Sequence, residues 1–196
     1  DYNKQMEIAP YRYKMIRGAD FYQYCFNEFN KHPNIEFVTG EARFASSTSS
    51  GNSFQLYLDN SIINTSDSIV FNSIYEPSPP TAKTLHVLQH FKGWLIVSAT
   101  DVFDPSKATM MDFRVHQQHG TSFVYVLPFS KREALVEYTL FTPSLLKPAQ
   151  YDIELKNYLS DFLGITDYSI KDEEFGIIPM TNEKFHFKKN GWQIGT

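Results

Sequence analysis

Four runs of alternating apolar and polar residues follow one another in the second half of the chain: Leu85 to Ser98, Thr109 to Val115, Ser122 to Leu127 and Leu135 to Phe141. Successive side chains of a strand point to opposite faces, so a period of two marks a strand packed on one side, and short polar connections make neighbouring strands antiparallel. The turn Ser130 to Glu133 makes the last two runs a hairpin. Next, Tyr151 to Leu163 sets Ile153, Leu155, Tyr158, Leu159 and Phe162 at near-helical spacing, and Gly164 stops the helix. The pattern predicts an antiparallel sheet with a helix over one face. Short strands near 169–171, 175–178, 185–187 and 193–194 close the chain.

The first part reads differently. Tyr11 to Ile16 alternates as a short strand, and Gly18, Ala19 and Asp20 introduce a helix from Phe21 to Asn30 with Phe21, Cys25, Phe26 and Phe29 on one face. Pro33 ends it, and Ile35, Phe37 and Val38 predict a second strand. Strand, helix and strand in this order are the unit of doubly wound α/β folds. Ala42 to Ala45, Phe54 to Leu58 and Ser68 to Ile74 then predict a β-meander. Three prolines between Pro77 and Pro80 remove backbone donors and favour extended backbone. They mark a boundary between a unit at residues 1–80 and a second at 81–196. The fold class expected is α/β (α+β).

Composition narrows the function. The 196 residues are 42% hydrophobic and 16% aromatic, enough for a packed core. Against 22 acidic residues stand 18 basic ones, for a net charge of -4 with no basic stripe, which argues against nucleic acid. A single cysteine, Cys25, can form neither an internal disulfide nor a multi-cysteine metal site, which fits a reducing cytoplasm. The longest aliphatic runs, such as Trp94 to Val97, fall far short of the ~20 residues of a membrane span. The sequon at Asn64, Thr65 and Ser66 reads as chance. Beginning at Asp1 without Met and stopping at Ile194, Gly195 and Thr196, the chain reads as a portion of a longer protein.

Neither a GxGxxG nor a GxxxxGK[ST] string occurs, so no phosphate-cradling loop is expected here. His116 and His119 are three apart but lack a third ligand nearby, and read as surface residues. Glu137 interrupts an apolar strand on the face of Leu135 and Thr139. It is either a solvated carboxylate on an open sheet or a carboxyl set against an apolar substrate, its pKa raised by lost hydration so that it can donate a proton. Asp112 and Arg114, two apart, read equally as a structural ion pair or as part of a site, with Met111, Phe113 and Val115 on the opposite face.

The strings MDFR (111–114), FVYVLPFS (123–130), ALVEYT (134–139), EEFGIIPMT (173–181) and the final IGT, taken in order, resemble the flavoprotein-type lycopene cyclases. The resemblance is concentrated in residues 85–196. LVEYT stands where the family carries a FLEET-like motif, with Glu137 at its first Glu and Tyr138 in place of the second. This departure leaves a two-carboxylate mechanism at the motif in doubt. MDFR matches an MDWR-like motif, and IGT looks like the start of the loop that approaches the flavin.

The resemblance implies a partial FAD/NAD(P)-binding doubly wound unit and an antiparallel substrate domain, as in the p-hydroxybenzoate hydroxylase-like flavoproteins. It also implies acid-base cyclisation of the ψ-ends of lycopene to β-rings, without net redox change. Glu137 would be the catalytic carboxyl. Asp112 and Arg114 would orient it or, with Pro179 and Met180, line the substrate pocket, and Gly195 and Thr196 would approach the cofactor. That cofactor is reduced FAD with NAD(P)H as electron source in the full-length protein, while these 196 residues alone are expected to bind none and to be inactive. The partners implied are lycopene and, peripherally, the inner face of the membrane. Two alternatives stay open: a portion of another flavin enzyme, monooxygenase or geranylgeranyl reductase-like, and a lipid- or carotenoid-binding module without catalysis.

Overall fold

A computed structural model describes residues 9–11, 14–46, 54–63, 69–73, 81, 83–183 and 191–193. The chain divides into two compact units, residues 1–68 and 69–196. The architecture is mixed, with antiparallel sheets and few helices.

In the first unit, α1 (Gly18–Phe29) opens on an ion pair in which the Arg17 guanidinium lies 2.7 Å from the Asp20 carboxylate. The rings of Phe26 and Phe29 meet Phe37 at 5.0 and 5.6 Å between centroids. Residues 14–16 and 35–38 are not strands, so the described residues form no strand, helix and strand unit. At 35–38 the reason is visible: Phe37 packs on the helix, which satisfies the apolar pattern without a ladder partner.

The meander is β1 (Ala42–Ser46), β2 (Phe54–Leu58) and β3 (Ser61–Ile63), antiparallel in that order. Its third strand is 61–63, not the run at 68–74. Asp59 turns the chain between β2 and β3 at φ 53°, a conformation Asp tolerates, and its carboxylate accepts the Glu41 N–H at 2.8 Å. The run at 68–74 instead yields β4 (Val70–Asn72), which pairs in parallel with a distant strand in the second unit.

The body of the second unit is a five-stranded antiparallel sheet. Its strands are β5 (His86–Ser98), β6 (Thr109–Asp112), β7 (Thr121–Pro128), β8 (Glu133–Thr142) and β9 (Tyr168–Thr181), in the order β6-β7-β8-β5-β9. β10 (Gly191–Gln193) partners β4. The predicted hairpin is β7 and β8, with Val126 opposite Val136. The expected strands at 169–171 and 175–178 are one strand, β9, interrupted only by a bulge opposite Leu95 and Ile96. The one expected at 185–187 lies outside the described residues.

α2 (Pro148–Asn157) starts earlier than the periodicity predicts, because Pro148 suits the first helical position, where no N–H is required. It continues as a π-helical segment, Tyr158–Phe162, and stops at Gly164, whose φ of 66° suits glycine.

Even-numbered residues of β5, β7 and β8 face α2. Trp94, Ile96, Val124, Val136, Tyr138 and Leu140 close over Tyr151, Leu155, Tyr158 and Leu159 as the core. A hydrogen-bond relay joins sheet and helix. Tyr151 O–H donates to His90 Nδ1 at 2.6 Å, His90 Nε2–H donates to Thr142 Oγ1 at 2.7 Å, and Thr142 O–H donates to the Ser144 carbonyl. At the helix flank, Lys92 Nζ lies 2.5 Å from Asp152 and 3.1 Å from Glu173. The other sheet face carries the odd-numbered residues of β5, β7 and β8 and, on β9, Glu174, Gly176, Ile178 and Met180, and is not covered by α2.

Candidate active site

Glu137 lies on that second face, where the register builds a row across four strands: Tyr125 on β7, Glu137 on β8, Gly93 on β5 and Glu174 on β9. Thr139, on the same strand and face, donates its hydroxyl to Glu137 Oε1 at 2.8 Å. The neighbouring row runs Phe123, Thr139, Phe91 and Gly176. Phe123 touches Phe113, Tyr125 and Phe141 at 5.3, 5.2 and 6.1 Å between centroids, so rings surround the carboxyl on the β7 side.

Two glycines shape the β9 side. A Cβ on Gly176 would come within 2.3 Å of the Phe91 ring, which therefore lies across this glycine. A Cβ on Gly93 would stand 2.8 Å from Glu174 Cγ and 2.9 Å from its Oε1, so the Glu174 side chain crosses the bare backbone of Gly93 toward Glu137. The register and this crossing put the Glu174 side chain over Gly93, on the side of Glu137. Burial pushes Glu137 up to about 7; the Thr139 hydrogen bond works against this, and the hydrogen bond and charge of Glu174 add to it. A carboxyl so placed holds its proton near neutral pH and can deliver it to an apolar substrate.

The other predicted site residues are arranged differently. Asp112 pairs with Val124, in the row of Tyr138, and thus lies on the α2 face, opposite Glu137. Its carboxylate lies 2.5 Å from Arg114 Nη2 and accepts the Tyr158 hydroxyl at 2.8 Å, and Arg114 sits 5.2 Å from the Phe162 ring centroid. The Arg114 hydrogen bond holds the Asp112 carboxyl below its ordinary value, against burial and with help from Tyr158. The structure thus does not bring this pair to Glu137. It ties the end of β6 to the π-helical segment, as the ion-pair reading requires. β6 ends at Asp112, just past Met111 at φ 48°, so Val115 joins the α2-side core and does not share a face with Phe113.

Tyr138, in place of a second motif carboxylate, is wholly buried on the α2 face beside Ser122. Pro179 also lies on that face, tolerated because β9 is an edge strand, whereas Met180 lies on the Glu137 face, about 20 Å along β9 from Glu174. Gly195 and Thr196 lie outside the described residues. No three potential metal ligands gather among the described residues.

Sequence reasoning reached Glu137 but missed Glu174, whose proximity depends on register across three strands. The available signal was Gly93, an isolated glycine inside a long strand, which marks close approach of another group.

A helix-covered antiparallel sheet with a proton-holding carboxyl on its aromatic face defines a candidate acid-base enzyme. The family model described as lycopene cyclase protein matches residues 1–196, and the chain belongs to that family. Carotenoid cyclisation is the function this membership supports in general terms. No curated protein and no solved structure matches the chain.

The described residues do not fit the phosphates of the flavin dinucleotide that the family implies. Among the described residues no strand feeds α1, and its first turn already carries the Asp20 carboxylate paired to Arg17.

Proposed function

We propose that this chain is the part of a lycopene cyclase that performs acid-base closure of the ψ-ends of lycopene to β-rings, with Glu137 as the proton donor. The observation that carries the reading is the Glu137 carboxyl, half-buried beside aromatic rings on the sheet face away from α2, with its pKa pushed up to about 7.

The chemistry is an isomerisation. The Glu137 proton forms a C–H bond at the terminal double bond, the cation so formed closes the ring by a C–C bond, and a proton then leaves the carbon beside the cationic centre. Phe91 and Tyr125, on the same face, are the rings that would stabilise the passing positive charge, with Phe123 buried behind them. In this reading residues 81–196 bind the substrate, while residues 1–80 belong to a hydroxylase-like flavoprotein fold. Reduced FAD, supplied with electrons by NAD(P)H, is the cofactor of the full-length protein in this reading.

Lycopene is a membrane solute, so the protein works in the cytoplasm, docked peripherally on the bilayer. Among the described residues no helix is long and apolar enough to cross it.

Pigment chromatography of lycopene-accumulating cells tests the reading, with the full-length protein expressed as wild type and as Glu137→Gln at matched levels. Cyclised product from the wild type and a ~10²- to 10⁴-fold loss in the variant are expected, since that is what a positioned proton donor contributes. Equal activity in both would return Glu137 to the sheet surface. Intact lycopene with a well-expressed wild type would favour a reductase or monooxygenase instead.

A further inference from the structure

The motif at residues 135–139 holds one carboxylate, yet the fold supplies a second from a different strand. Glu137 and Glu174 are separated by one strand, so their backbones stand roughly 9–10 Å apart. Between them the face carries only Gly93, and the Glu174 side chain occupies the space a β-carbon would take there. The approach is therefore built into the backbone.

The remaining groups on this face do not neutralise the pair. Tyr125 comes from β7, and Thr139 on β8 already donates to Glu137. β5 contributes Phe91, Gly93 and Leu95, none of them charged. β9 adds Asp172, opposite Leu95, and the Lys171 ammonium is paired at 2.9 Å with Glu133 at the end of the face. The Glu174 charge beside Glu137 adds to the burial that favours the protonated form of Glu137.

We propose that Glu137 and Glu174 act as a two-carboxyl pair holding one shared proton, in which Glu137 gives the proton and Glu174 takes one back. The inference rests on the reading of Glu137 as the acid. The balance closes without a co-reactant. The Glu137 O–H breaks as the new C–H forms, leaving two carboxylates beside the carbocation, and the C–H adjacent to the cation then breaks, its electron pair becoming the ring double bond and its proton going to Glu174. A proton passing across Gly93 from Glu174 to Glu137 restores the start. An isomerisation needs this return of the proton, and the doubly ionised pair stabilises the intermediate cation.

The test compares wild type, Glu174→Gln, Glu137→Gln and the double variant of the full-length protein. Lycopene cyclisation is measured against pH, and carboxyl protonation is followed by infrared titration of the purified proteins. Glu174→Gln is expected to lower the rate by ~10²-fold and to move the alkaline fall in activity, and the carboxyl titration, to lower pH, because Glu137 loses its like-charged partner. The double variant is expected to be no slower than the worse single one, as for residues that act as a unit. A purely structural Glu174 would leave the pH profile in place. A Glu174→Gln protein with wild-type rate and profile overturns the pair but leaves Glu137 as the acid. A wild type that cyclises nothing overturns the donor and acceptor roles together with the function. In that case an unmoved carboxyl titration in Glu174→Gln overturns the shared proton as well, and a downward shift sustains it.

Discussion

Glu137 couples the chemistry of the site to the stability of the fold. Its folded pKa, about 7, exceeds the ordinary value of 4.5, so in this window the native state keeps a proton that the unfolded chain releases. Stability therefore falls as pH rises from about 4.5 to about 7, by on the order of 3 kcal/mol at ~1.4 kcal/mol per pKa unit. Urea denaturation across this range is expected to show that slope in the wild type and a flatter one in Glu137→Gln. Thr139 acts in the opposite sense, since its hydroxyl favours the ionised carboxylate. Thr139→Val should raise the Glu137 pKa further and carry the alkaline limb of activity upward, which a pH-rate profile reads directly. Gly93→Ala should displace the flexible Glu174 side chain and lower the Glu137 pKa, carrying the alkaline limb of the pH-rate profile downward.

At the level of elements, the contacts that hold α2 to the sheet are separate from those that build the site. Leu155 is fully buried between the helix and β8, and Leu155→Ala should cost about 2–5 kcal/mol in a denaturant melt. His90, at the centre of the relay that anchors the β8 to α2 connection, is kept neutral by burial, with its pKa below the ordinary 6.5. A depressed histidine pKa means stability that is present above about pH 6.5 and lost as acid forces a proton onto the ring. This slope opposes that of Glu137, so the two are resolved by measuring Glu137→Gln, in which only the acid-side loss should persist. At the β9 edge, Gly176→Ala would drive a methyl into the Phe91 ring and should cost about 1–3 kcal/mol.

Over the whole molecule, the sheet of the second unit has two unlike faces, one packed on α2 and one carrying Glu137, which the proposed function assigns to substrate. Val136, fully buried on the α2 side, should not accept a charge, and Val136→Asp is expected to abolish cooperative unfolding. Ile178 stands on the Glu137 face, 39% exposed. Ile178→Asp should leave the melt nearly unchanged while reducing conversion of lycopene. Circular dichroism melts and pigment analysis on the same preparations check the contrast, and equal destabilisation by the two substitutions would count against a free, substrate-facing surface.

Local chemistry made much of this molecule legible. A period of two is a property of one strand, so the four runs of the sheet, the β7 and β8 hairpin and the strand position of Glu137 could be read from the chain, as could the helix that Gly164 ends. The first unit was less legible, because Ile35, Phe37 and Val38 satisfy a strand pattern while one ring simply packs on α1. Which faces meet is a property of several strands at once. Register alone put Asp112 on the helix side and Glu137 on the other, and set Glu174 of β9 in the row of Glu137, with Tyr138 turned into the core. Cross-strand pairing is set by packing over the whole sheet and has no local signature. The residues thus specify which strands form and which side chains can titrate, while the assembled sheet determines that Glu174 crosses Gly93 in the row of Glu137.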